Sequence, residues 1–346
     1  MSDATHRSVE EYYGEVLKHS SDLKTSACCP AGAVPVYLEQ YLSTIDDEII
    51  GRSYGCGSPI PLGIEGCTVL DLGCGTGRDV YLCSQLVGEE GQVIGIDMTP
   101  QQLEVARRHR ASHADRFGRS EEKIRFVDGY LEDLAAAGIE DDSVDVVISN
   151  CVINLAPDKR RIFEEIKRVL RPGGEFHFSD IFCDRRLSPR YREDPVLLGE
   201  CLAGSLYFED FRRMWADLGI SDVRLLSSSA VALRDAEVEE KIGFASFRSL
   251  TVSVFNLEGL EDRCEDYGQT ANYRGTVPHA PHRFGLDDHH IFERNRPVNV
   301  CSNTAMMLAE TRFKNHFLID GDLSYHHGLF PCGPVATEGS DENPCC

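Results

Sequence analysis

Between residues 69 and 183 the chain alternates short apolar runs with longer amphipathic ones. VLDLG, VIGID, IRFVDG, DVVISN and EFHFSDIF are of strand length and nearly continuous in apolar residues, the pattern of strands buried on both faces in a parallel sheet. Between them, RDVYLCSQLVG, MTPQQLEVARRHR and DKRRIFEEIKRVL space their apolar residues helically. In the last of these, Ile162, Phe163, Ile166, Val169 and Leu170 share one face before RPGG ends the helix. Thr99, Pro100 and Gln102 predict an N-cap, a first-turn proline and a capping box, and LEDLAAAG predicts one further short helix.

Strand and helix alternating in this way predict an α/β fold with a doubly wound, mostly parallel sheet. Ahead of it, SVEEYYGEVLKHS and VPVYLEQYLSTI predict helices, separated and followed by the loops TSACCPAGA and RSYGCGSPIPLG. Behind it, RRLSPRYREDPVLLGECLAGSLY is too long for a turn and predicts an insertion on the substrate side, before the helix FEDFRRMWADLG and a strand-rich stretch. The expected organisation is therefore a helical N-terminal segment with cysteine loops (1–62), an α/β core (63–184), an insertion with the end of the core (185–250), a smaller α+β C-terminal domain (251–336) and a disordered acidic tail (337–346).

Composition narrows the partners. A formal charge of −22 repels phosphate backbones and anionic lipid, so nucleic acid and membrane surfaces are excluded in favour of small ligands. The polar N-terminus and the lack of any long apolar run predict a soluble, unexported, cytoplasmic protein, taken to be a monomer. Fourteen cysteines in a reducing compartment then stay thiols, and without a C-x-x-C pair a zinc ribbon is disfavoured. His289, His290, His326 and His327 show no helical metal spacing and are expected to be solvated loop residues.

Chemistry first shows in DLGCGTGRD. Gly73, Gly75 and Gly77 follow a strand directly, where the backbone must turn tightly and a ligand must approach the main chain, and Asp97 ends the next strand, placed to take ribose hydroxyls. Asp71 beside the turn would repel a pyrophosphate but suits a cationic cofactor with a sulfonium and an ammonium. The pattern resembles the first motif of the class I S-adenosylmethionine-dependent methyltransferases. DGYLEDL resembles the segment that flanks the adenine in that superfamily, and RVLRPGGEFHFSD its later helix, turn and strand. The resemblance implies S-adenosylmethionine as cofactor, held by Tyr54, Asp71, Gly73, Gly75, Gly77, Arg78, Asp97, Met98, Leu131, Glu132 and Asn150.

In DVVISNCVINL, Cys151 follows the fourth strand, where the methyl acceptor of such an enzyme would lie. On its own it reads first as a small buried hydrophobe. No general base accompanies it, which fits an acceptor with no proton to lose, and soft thiolates select soft ions. Cys56 and Cys201, both in predicted loops, are the candidate partner thiols. Together SYGCG, LDLGCGTGRD, ISNCVINL, GECLAGSLY and the early YYG with LKTSAC resemble the arsenite methyltransferase family over most of residues 7–250.

That resemblance implies methylation of trivalent arsenic, arsenite and methylarsenite, bound as substrate by Cys56, Cys151 and Cys201 with no catalytic metal ion. It implies a fourth functional cysteine, Cys28 or its neighbour Cys29, exchanging disulfide with Cys56, and thioredoxin or glutathione as reductant. Arsenite would arrive free or as a thiol conjugate, for arsenic biotransformation and detoxification. Cys67, Cys74 and Cys83 are left to the core, while Cys264, Cys301, Cys332 and the terminal Cys345–Cys346 pair receive no role. Two other readings stay open at this point: a methyltransferase for a quinone or sterol, and a non-catalytic metalloid-binding protein.

Overall fold

The computed structural model describes residues 34–53, 55 and 57–331. The predicted first helix, the TSACCPAGA loop, Cys28, Cys29, Tyr54, Cys56, Cys332 and the acidic tail lie outside the described residues. Two short helices, α1 (Val36–Leu42) and α2 (Asp47–Gly51), precede the core. It then runs β1 (Thr68–Leu72), α3 (Arg78–Leu86), β2 (Gln92–Asp97), α4 (Pro100–Arg116), β3 (Ile124–Asp128), β4 (Val144–Asn150), α5 (Lys159–Val169) and β5 (Leu170–Cys183). After α6 (Pro195–Gly199) and β6 (Leu206–Tyr207) come α7 (Phe208–Asp217), β7 (Arg224–Ala230), α8 (Ala236–Ile242) and β8 (Phe247–Phe255).

The strands join in the order β3-β2-β1-β4-β5-β8-β7, with β6 also on β5. β1 to β5 are mutually parallel, and β8 enters antiparallel between β5 and β7. The order reverses between β1 and β4, so their carboxyl ends diverge into the crevice where open α/β sheets bind ligands. Every residue of β1 is buried, and β4 is buried except at Asp145, which accounts for their nearly continuous apolar sequences. One sheet face packs α1 to α4 against Val69, Val93 and Ile148. The other packs α5 and α7, led by Phe163, Phe176, Phe211 and Trp215, and this core runs on into residues 257–317.

Those later residues form a three-stranded antiparallel sheet, short two-stranded ribbons and the helix α9 (Ser302–Glu310). They are riveted to the core by polar staples. Arg312 pairs with the buried Glu175 on β5 and donates to Leu62 O at 3.0 and 3.2 Å, Arg224 on β7 pairs with Asp287 at 3.0 Å, and Asn303 donates to Asp222 at 2.8 Å.

Three local expectations are corrected. LEDLAAAG is a run of turns: Asp133 and Glu165 carboxylates take the Ala136 and Ala135 N–H groups at 3.1 and 3.2 Å, and two helical turns are too few to hold against such competitors. Thr99 occupies the N-cap of α4 without a side-chain cap bond, because its hydroxyl goes to Asp97 instead. His290 is buried, not solvated; it lies 2.7 Å from the Asp287 carboxylate in the Arg224 staple.

Candidate active site

The turn after β1 is held by its own strand neighbour. Gly75 N–H donates to Asp97 Oδ2 at 2.8 Å while Thr99 N–H donates to Asp97 Oδ1 at 2.8 Å, so the acid that ends β2 closes the glycine turn from behind. Gly73 has φ 70° and a side chain there would strike Val152 at 2.5 Å, the close passage of two strand ends. Gly75, at φ 52°, has open space where a Cβ would be, leaving its backbone bare to the cavity. Gly77 does not line the cavity; its φ of 89° turns the chain into α3.

The cavity in front of this turn is lined by Asp71, Gly73, Gly75, Arg78, Asp97, Met98, Leu131, Glu132, Asn150 and Cys151, which brings together most of the residues expected from sequence. Sequence reasoning missed others on the same wall, among them Arg52, Asp79, Gln102 and Tyr130. Asp79 had a signal, an acid in the first turn of the helix that leaves the glycine loop. It is paired with Arg78 at 2.9 Å and accepts from Asn150 Nδ2 at 3.3 Å. Burial, and then the Asp79 charge, push the Asp71 carboxyl well above the usual carboxylate range. Arg78 balances only one of these two acids, so an ammonium bound here would supply the countercharge that lets Asp71 ionise, and with the bare Gly75 backbone and Asp97 this fits a cofactor bearing an ammonium and ribose hydroxyls.

Beyond Asn150 the chain makes a 3-10 turn, Ile153–Leu155, after passing through Cys151 at φ 57°. Cys201, following α6, has φ 60°. Left-handed backbone costs a residue with a Cβ about 1–2 kcal/mol, so two such cysteines facing each other are a built feature. Both are buried, and the Cys201 thiol donates to Cys151 O at 3.3 Å. The two sulfurs and an Asp180 carboxylate oxygen lie within 4.8 Å of one another. Cys151 is disulfide-bonded. Asp180, three residues before the end of β5, is pushed up to about 7 by burial, and Lys159 beside it is pushed down to about 7 by burial and then by Arg192.

The thiols assigned to the core are buried as expected. Burial pushes Cys67 up to about 11 and Cys74 and Cys83 well above the ordinary thiol value, which suppresses the thiolate and its reactivity. Cys183, given no role from sequence, is buried in the same apolar cluster as Cys151 and Cys201. Two histidine clusters, Asp46 with His109 and His113, and Asp287 with His289 and His290, also have ligand-like spacing. In each an arginine already occupies the carboxylate, Arg116 at 3.4 Å and Arg224 at 3.0 Å, so they serve as ion-pair staples.

The parallel sheet, the switch-point cavity and its acid-backed glycine turn define a Rossmann-like class I methyltransferase, and a methyltransferase domain model matches residues 64–220. A model of the arsenite methyltransferase C-terminal domain matches residues 268–332. The chain is 50% identical over 329 residues to the arsenite methyltransferase of Aquipseudomonas alcaligenes, covering 95% of this chain and 94% of that one. It is 39% identical to the human arsenite methyltransferase over 90% of this chain and 83% of that one. The crystal structure of an arsenic(III) S-adenosylmethionine methyltransferase from Chlamydomonas reinhardtii matches with a TM-score of 0.82 and 49% identity, over 86% of this chain and all of that one. The chain belongs to the arsenite methyltransferase family.

Proposed function

We propose that this protein methylates trivalent arsenic held by cysteine thiolates, with S-adenosylmethionine as methyl donor, and that it serves arsenic detoxification in a reducing, cytoplasmic setting. The observation that carries this reading is the buried Cys151–Cys201 pair, packed beside the cofactor cavity at the carboxyl end of β4. Cys56 is the third arsenic thiol of the reading, and Cys28 the thiol that exchanges with it.

When bound, S-adenosylmethionine supplies an electrophilic methyl on a cationic sulfur. Asp71, with Arg78 and Asp79 around it, would receive its ammonium, Asp97 its ribose, and Met98, Leu131 and Glu132 its adenine. The thiolates present arsenic with its lone pair outward. That pair becomes the arsenic–carbon bond, so no proton has to be removed and no base is needed at the strand end. Arsenic is thereby oxidised to the pentavalent state. Two thiolate ligands leaving as a disulfide return an electron pair to it, and an external thiol reductant of the thioredoxin or glutathione type restores the thiols.

The test is purified, reduced protein with labelled S-adenosylmethionine and arsenite, assayed for methylated arsenic beside Cys56→Ser, Cys151→Ser and Cys201→Ser. Product is expected from the parent and not from the Cys151 and Cys201 variants. Absence of product from the parent would end the reading, and undiminished product from Cys151→Ser would end its mechanism.

A further inference from the structure

Two cysteines in left-handed backbone persist only if their surroundings over-determine them. Asn154, buried three residues beyond Cys151, supplies the restraint. Its backbone N–H donates to Asp180 Oδ2 at 3.1 Å, and its side-chain amide donates to Asp180 Oδ1 at 2.7 Å and to Ile181 O at 2.6 Å, which ties the Cys151 turn to β5. Its carbonyl faces the other thiol loop. There it accepts from Lys159 Nζ at 3.3 Å, and Gly204, three residues beyond Cys201, packs so closely that a Cβ would lie 1.9 Å from that oxygen.

A single residue thus touches three segments: the turn carrying Cys151, the stretch of β5 carrying Asp180 and the loop carrying Cys201. The cluster is not an optimised piece of core. Among the described residues no donor meets the buried Asn154 Oδ1, an arrangement that an apolar side chain would avoid. Nor do Asn154, Lys159 and Asp180 line the cofactor cavity among the described residues.

We propose that Asn154 is a positioning residue for the thiol pair, setting the spacing of Cys151 and Cys201 by clamping both loops to β5 at Asp180. The inference rests on the thiolate-binding reading above, and it separates from that reading in its test. Phenylarsine oxide bridges two thiols and so reports the pair directly; the pocket's share of its binding is the part abolished by Cys201→Ser. In reduced full-length protein, Asn154→Ala is expected to weaken that share about tenfold or more and to raise KM for arsenite similarly, because small misplacements of reacting groups are costly. The Kd for S-adenosylmethionine should stay near the parent's while the melting temperature falls somewhat, because buried Asp180 loses a donor, and Asn154→Ser, which keeps a donor for Asp180, should recover part of the loss.

Parent-like phenylarsine oxide binding by folded Asn154→Ala overturns the positioning role and leaves the proposed function standing. Parent binding that Cys201→Ser does not diminish overturns both, since no pair would exist to be positioned. Should Asn154→Ala fail to fold, Lys159→Met, which removes the ammonium shared by the Asn154 and Ala156 carbonyls, is read with the same two ligands, and parent-like values there overturn the role.

Discussion

The glycine turn of the cofactor cradle draws on two adjacent strand ends, with Gly73, Gly75 and Gly77 inside five residues and Asp97 at the end of the neighbouring strand. The thiol pocket beside it draws on three elements, with Cys151 after β4, Asp180 within β5 and Cys201 after α6. They differ in how they hold their shape. The cradle places left-handed backbone on glycine, where it costs little, and braces it with one acid. The pocket places left-handed backbone on two cysteines and needs a buried polar cluster to keep it there. A site made of backbone is specified locally, whereas a site made of side chains from distant loops depends on everything that sets those loops against each other.

Substitutions can break this comparison. The largest effect is expected from Cys151→Ser, with arsenite methylation reduced about a hundredfold or more and S-adenosylmethionine binding unchanged by calorimetry. Loss of cofactor affinity in that variant would mean that the two sites are one.

Next comes a change outside both. Glu175→Gln leaves Arg312 without its anion and should cost about 3–5 kcal/mol of stability in a denaturant melt, weakening the two sites together. The pH dependence follows in sign. Glu175 is held down at about 2 against the opposing effect of burial, chiefly by the Arg312 guanidinium and then by His177 and Ser253. A depressed carboxylate contributes stability that is complete above its unfolded value of about 4.3 and is lost as pH falls through the folded value. Melting temperature should therefore drop between about pH 4 and pH 2 in the parent, and less steeply in Glu175→Gln.

Asp97→Ala removes a charged acceptor from the cradle and is expected to weaken S-adenosylmethionine binding by about 1.5–3 kcal/mol, with phenylarsine oxide binding at the parent's level. The smallest effect is expected from Gly75→Ala. Its φ of 52° is tolerable at a cost of about 1–2 kcal/mol and no atom opposes the methyl, so a several-fold loss of cofactor affinity without loss of thiol-site binding is the outcome to look for. An effect on arsenical binding equal to that on the cofactor would contradict the separation of the two regions.

Much of the cradle was legible in DLGCGTGRD because glycine at a left-handed turn is a local requirement, readable wherever a strand pattern precedes it. Asp79 was within reach of the same reasoning. Asp180 and Asn154 were harder, since nothing in FHFSD or CVINL says that those two stretches face each other until β5 is paired beside β4. The short helix predicted at LEDLAAAG failed for the complementary reason: its alanines favour helix, but the Glu165 carboxylate that captures Ala135 N–H comes from 30 residues further along the chain. The burial of His290 was likewise hidden, because it depends on Arg224, 66 residues away.

Alone, the sequence determined the alternation of strand and helix, the position of the glycine turn and its acid, and the placing of a thiol just past a strand end. All of these follow from backbone geometry and burial over a few neighbouring residues. Only the tertiary structure decided how Cys201 packs against Cys151, that Asp180 stands beside the pair, and that β8 runs antiparallel between β5 and β7. Those outcomes depend on packing between segments whose separation along the chain carries no record of their distance in space.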